Sequence, residues 1–229
     1  MIQIKKTDFQ VVVTEIQYLP CLEFWACCDG MEELRLETKE HFQKQTFRNR
    51  CQILTAQGID TLIVPVLDGR SQTKTFIQDI RIDYQQPWVK RHWGAIESAY
   101  RKAPYFEYFA DTFRKVYEQK PAFLYDLNIS LLTICRELLR IQQKVSETHE
   151  YLKQYEYPIL DIRGHIVPKN SFIERSCYRP VLYRQNFGEQ FFPNLSILDV
   201  LFCQGNEAQR IIKASSKLAE NDALLQELK

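Results

Sequence analysis

No run of this 229-residue chain approaches the ~18 apolar residues that a membrane-spanning helix needs. Its opening Met-Ile-Gln-Ile-Lys-Lys-Thr-Asp lacks the apolar core of a secretory signal. These two lacks predict a cytoplasmic protein without a membrane span. An excess of one charge is also lacking: 30 Lys and Arg face 29 Asp and Glu, a formal +1, so no global field draws the chain to nucleic acid or to an anionic membrane. The Walker loop, GxGxxG, GxSxG and HExxH are all missing, which removes the usual nucleotide and hydrolase signatures. The seven cysteines, at 21, 27, 28, 51, 135, 177 and 203, form no CxxC pair and no zinc-ligand spacing. Adjacent Cys27 and Cys28 suit neither a local disulfide nor joint metal binding, so seven reduced, buried thiols and no metal are expected.

What is present is aromatic. Fourteen Phe and 12 Tyr exceed ordinary usage, and such rings either line a pocket or pack a core. Phe9 to Ile16 is rich in β-branched residues and predicts a buried strand, followed by a short helix through 22–28 with Pro20 in its first turn. Residues 33–37 alternate as a short strand, and 46–54 lead through a turn at Gly58 into a partner strand at 61–67, where Pro65 marks an edge. A polar loop over 68–74 precedes a further alternating strand at 76–83. From Pro87 the pattern turns helical: 88–101, a helix opened by Pro104, and a long one over 121–143 with Phe123, Leu127, Leu131, Ile134 and Leu138 on one face. The span 144–180 carries no clear period. Ser196 followed by Asp199 has the form of an N-cap, with Gly205 placed to end that helix, and Glu207 to Leu228 forms a last amphipathic stretch able to support a homo-oligomer.

Three segments concentrate groups with chemical capacity. In the 88–101 helix, His92, Ile96 and Tyr100 recur every four residues, so one face presents an imidazole and a phenol beside Trp88. His92, with an ordinary pKa near 6.5, suits a general base; the same residue equally suits a core histidine bonded to a backbone carbonyl. Lys44, Arg48, Asn49 and Arg50 gather three cations and an amide, either an anion site or one charged face of a strand. Glu37 and His41 share a four-residue spacing but no third ligand lies nearby. Capping accounts for Ser196 and Asp199, and a turn accounts for Asn194.

In order along the chain, Tyr18-Leu19-Pro20, Lys44 with Asn49-Arg50, Ile82-Asp83 with Trp88 and His92, and Tyr100 with Ala103-Pro104-Tyr105-Phe106 form a recurring pattern. Leu127-Asn128 and Asn194-Leu195-Ser196 with Asp199, Leu201, Phe202 and Gly205 complete it. The ensemble resembles the WbqC-like protein family, most clearly over residues 14–205. Two departures stand out: Glu15-Ile16 occupies the place of a Gln-Pro pair common in relatives, and a Ser-Gly segment before the final motif is not found. The resemblance implies a transferase of surface polysaccharide, O-antigen or glycoconjugate biosynthesis, passing a glycine-like aminoacyl group to a sugar. It makes His92 the catalytic candidate, with Tyr18, Lys44, Asn49, Arg50, Trp88, Tyr100, Asn194, Ser196 and Asp199 as substrate-binding candidates. The competing reading is a noncatalytic binder or scaffold for a carbohydrate or nucleotide-sugar. No cofactor is specified, and the neutral composition argues against a nucleic-acid binder using Arg48, Arg50, Lys90, Arg91 and Arg101. The expected architecture is one mixed α/β domain over 1–229, its β-rich first third packed on helices from the middle and C-terminus, with residues 206–229 as a C-terminal helix.

Overall fold

The computed structural model describes residues 9–67, 74–169, 171–173 and 177–217. The expected polar loop, apart from Lys74, and the C-terminal stretch beyond Lys217 lie outside the described residues.

Two sheets organise the strands. β1 (Val11–Glu15), β2 (Glu33–Glu37), β5 (Lys144–Glu147) and β6 (Ile159–Asp161) form an all-parallel sheet in the order β5-β2-β1-β6. β3 (Arg50–Thr55) and β4 (Gly58–Ile63) form an antiparallel hairpin whose turn ends at Gly58, at φ +106°, a conformation that glycine adopts without strain. Parallel neighbours need a crossover, and α1 (Leu22–Cys28) supplies it between β1 and β2. The hairpin and three helices, α2 (Trp88–Tyr100), α3 (Phe106–Gln119) and α4 (Leu124–Leu138), intervene before the chain re-enters the sheet at β5. α5 (Ile197–Gln204) and α6 (Ala208–Ser215) follow.

The sheet has two unlike faces, because successive side chains alternate and cross-strand partners share a face. One face carries Val12, Leu34, Leu36 and Leu160 into the main hydrophobic core, together with the buried stripes of the helices. The other presents Val13, Glu15, Glu33, Arg35, Glu37, Ser146 and Asp161. Strands of four and three residues are too short to show an apolar period, which is why β5 and β6 are not visible in sequence.

Several local expectations change. Residues 76–83 form no strand: Ile77–Asp79 is a 3-10 turn, and only single bridges pair Phe76, Arg81 and Ile82. Thr46 to Asn49 is turn rather than strand, and the long helix ends at Leu138, so that Lys144–Glu147 is free to join β2. Helix α1 begins at Leu22, which puts Pro20 in the approach to it and not in its first turn. Cys27 and Cys177 are disulfide-bonded, with Cα atoms 5.7 Å apart, which corrects the expectation of seven thiols; the other five are free and buried. The Ser196 cap is present, its Oγ accepting from Leu198 N at 3.4 Å, and Gly205 ends α5.

Candidate functional site

The three motif segments meet, and they meet in the interior. Ser196 N donates to the Gln52 carbonyl at 2.8 Å, and the Tyr100 hydroxyl accepts from Leu54 N at 3.3 Å, joining α5, β3 and α2. His92 is 0% exposed, with Nδ1 2.9 Å from the Tyr18 hydroxyl and Nε2 3.1 Å from the Ile63 carbonyl oxygen. Burial, with Arg91 adding to it, pulls its pKa down to about 4, so the ring is neutral at pH 7. The Tyr18 hydroxyl also meets that of Tyr117 at 2.5 Å, and burial holds both phenols above their usual range. Trp88 packs edge-on against His92 and Tyr117.

The remaining motif residues bind the chain to itself. Asn49 donates to the Val64 carbonyl at 2.9 Å. Asn194, at φ +57°, accepts from Glu23 N at 2.9 Å and donates to the Glu23 carboxylate at 3.0 Å, reaching the start of α1 from 171 residues away. Ser196 Oγ donates to the carbonyl of Leu19, which sits at φ +46°, a conformation costly for leucine. Asp199 accepts from Tyr183 at 2.7 Å and Gln185 at 2.9 Å, and burial pushes its carboxyl pKa up. Lys44 is exposed and Arg50 is half-buried.

A different cluster has the character of a site. In open parallel sheets ligands bind outside the carboxyl ends of the strands, where connections depart to opposite sides. Here β1 leads to β2 on one side while β6 lies on the other, so that point falls between β1 and β6. All four parallel strands end on an acid: Glu15, Glu37, Glu147 and Asp161. Arg48, 1% exposed, forks onto both oxygens of Glu40 at 2.7 and 2.6 Å and lies 3.9 Å from Glu15. Burial opposes its charge, yet Glu15 and Glu40 hold its pKa above the usual value; burial pushes that of Glu40 up.

A second arginine closes the other side. Arg163 binds Asp161 through Nε at 2.9 Å and Nη2 at 2.6 Å, and reaches Glu37 through Nη1 at 2.7 Å. The rings of Tyr151 and Tyr155 lie 5.0 and 4.8 Å from its guanidinium carbon, within cation–π range. Thr148 donates to Glu37 at 2.7 Å. Beside this network opens a cavity of about 380 Å³, lined by Arg35, Ser146, Thr148, His149, Leu152 and Tyr155.

Two buried groups at the centre have no hydrogen-bond partner among the described residues: Arg48 Nη1, a donor, and Gln17 Oε1, an acceptor. Both belong to residues beside Glu15, since Gln17 Nε2 donates to one of its oxygens at 3.3 Å and Arg48 Nη2 lies 3.9 Å from the other, which also accepts from Gly164 N at 2.9 Å. Unsatisfied buried polar atoms are rare and costly, so an unused donor and acceptor around one carboxylate mark a place suited to a polar ligand. No group of three or more His, Cys, Asp or Glu able to hold a metal occurs among the described residues.

Reading the sequence did not find this centre. It singled out Arg48 for its charge and Glu37 for its spacing to His41, but His41 is exposed and stacks on Phe76 at 4.7 Å while Glu37 turns to Arg163. The available signal was an acid closing each parallel strand, and it was hidden because two of those strands were not recognised.

A family model described as the WbqC-like protein family matches residues 16–166, more than half of the chain. The uncharacterized protein Rv1507c of Mycobacterium tuberculosis is 28% identical over 226 residues, covering 87% of this chain and 95% of that protein. No solved structure matches.

Proposed function

This chain belongs to the WbqC-like protein family, and from that premise we propose that it is a transferase of surface-polysaccharide or glycoconjugate biosynthesis, working at the carboxyl edge of the parallel sheet. The transferred group is aminoacyl and glycine-like, and the acceptor is an amine or hydroxyl of a sugar. One observation carries the placement: the unused Arg48 donor and Gln17 acceptor beside Glu15. Acyl transfer requires a carboxylate or imidazole to take the proton from the attacking group and a donor to stabilise the oxyanion. Glu15 fills the first role and Arg48 Nη1 the second. The new bond to the acyl carbon forms as the donor's leaving group departs with its bonding electrons, and Glu15 holds the released proton. Tyr151 and Tyr155 supply rings for a sugar face, and the cavity lined by Thr148, His149, Leu152 and Tyr155 admits the substrate.

His92 becomes a positioning residue in this reading. It holds Tyr18, whose backbone N donates to the Phe47 carbonyl at 2.8 Å, and so aligns the loop after β1 with the residues before β3. Lys44 and Arg50, the cations of that region left with exposure, are available to an anionic donor substrate.

A noncatalytic carbohydrate or nucleotide-sugar binder is the second reading, favoured by the ion-pairing of Glu15, Glu37, Glu40 and Asp161 with two arginines. Thermal-shift measurements with nucleotide-sugars, amino acids and acyl donors, followed by mass spectrometry of each mixture, separate the two. Conversion by the wild type and not by Glu15→Gln supports transfer. Stabilisation of both proteins without conversion supports binding alone.

A further inference from the structure

Helices α2 and α3 leave between them a groove of about 580 Å³ that plays no part in the carboxyl-edge site. Its lining includes the half-buried side chains of Trp93, Tyr84 and Val89. Gly94 lies in the same wall. A glycine inside a helix costs up to about 1 kcal/mol relative to alanine, so its presence calls for a reason. Backbone conformation does not supply one, since its φ is not positive, and neither does crowding, since a Cβ built there meets nothing within 4 Å. Gly94 is among the residues that line the groove, so its missing side chain leaves that wall open.

The charges of the groove are unevenly satisfied. Arg114 is committed, paired with Glu118 at 3.0 Å and lying over the Trp93 ring at 5.9 Å. Lys90 and Lys120, both exposed, have no acidic partner among the described residues, and Glu97 is likewise left to accept hydrogen bonds. An indole that already carries a guanidinium over its ring, two ammonium groups without an acidic partner among the described residues and one carboxylate acceptor are complementary to a ligand with a ring, hydroxyls and a negative charge.

We propose that the α2–α3 groove binds a phosphorylated sugar, its ring against Trp93, its hydroxyls on Glu97 and its phosphate between Lys90 and Lys120. That chemistry is shared by sugar phosphates and by nucleotides. The site is distinct from the proposed transfer centre, and its failure leaves that proposal untouched.

Isothermal titration of the full chain with glucose 1-phosphate, adenosine monophosphate, glucose and inorganic phosphate tests it. At least one of the two phosphorylated sugars is expected to bind ten times or more tightly than glucose or phosphate, with affinity falling as salt rises; which of the two binds identifies the source. Gly94→Leu is expected to weaken that binding at least tenfold without lowering Tm, because it fills the groove while improving helix propensity. Lys90→Gln with Lys120→Gln is expected to weaken binding and flatten the salt dependence. Equal binding of glucose or of phosphate alone, no binding at millimolar ligand, or full retention of binding in both variants overturns the proposal.

Discussion

At the scale of single residues, burial decides what the ionisable groups can do. His92 is neutral in the folded chain with a pKa of about 4, against about 6.5 when unfolded. Between those values the unfolded state binds more protons, so this contribution to stability is full above pH 6.5 and is lost as pH falls toward 4. The window is worth on the order of 3 kcal/mol. His92→Gln is expected to shrink the difference between urea midpoints at pH 7 and pH 4.5; Asp199 and Glu40, with raised pKa values, act in the opposite sense in both proteins and cancel in the comparison. The Arg48–Glu40 pair makes a second test. Removing one partner of a buried pair leaves a charge uncompensated, so Arg48→Met is expected to cost about 3–5 kcal/mol in chemical denaturation. Adding Glu40→Leu is expected to recover part of that loss, and strict additivity of the two changes would show that the pair is not coupled.

Between elements, the stability of α1 rests on a residue far along the chain. Its N-cap residue, Cys21, makes no side-chain capping bond, and Asn194 does that work by accepting from Glu23 N and donating to the Glu23 carboxylate. Asn194 also sits at φ +57°, which asparagine and glycine tolerate and alanine resists. Asn194→Ala is therefore expected to cost about 2–4 kcal/mol and Asn194→Gly less, because only the alanine adds backbone strain to the lost bonds. Equal Tm values for the two variants would remove the conformational part of this account. Ser196 shows how far such a role is legible: its spacing to Asp199 announced the cap, but nothing local announced its second bond to the Leu19 carbonyl. Short-range signals specify what a residue does for its own helix, whereas its partners across 177 residues depend on packing.

For the molecule as a whole, the Cys27–Cys177 bond joins α1 to the approach to α5 across 150 residues. In the chain-entropy account a closed loop of that length is worth about 5 kcal/mol, so reduction is expected to lower Tm markedly. Thiol titration of the denatured protein is expected to find five reactive groups before reduction and seven after it; seven before reduction would show the bond absent from the isolated protein.

The amino-acid sequence by itself determined the three middle helices, the hairpin, the α5 cap and the kinship of the chain, because each is written in spacing over a few neighbouring residues, whereas the helix expected over 206–229 ends at Ser215 within the described residues. It also determined which groups cluster along the chain. The tertiary structure alone decided that His92 faces inward, that β5 and β6 flank the first two strands, and that Glu15, Glu37, Glu40, Arg48, Asp161 and Arg163 share one centre. Strands of three and four residues carry too little apolar period to be recognised. Their pairing arises only when distant segments dock on a common core, and the site at their carboxyl ends arises with it.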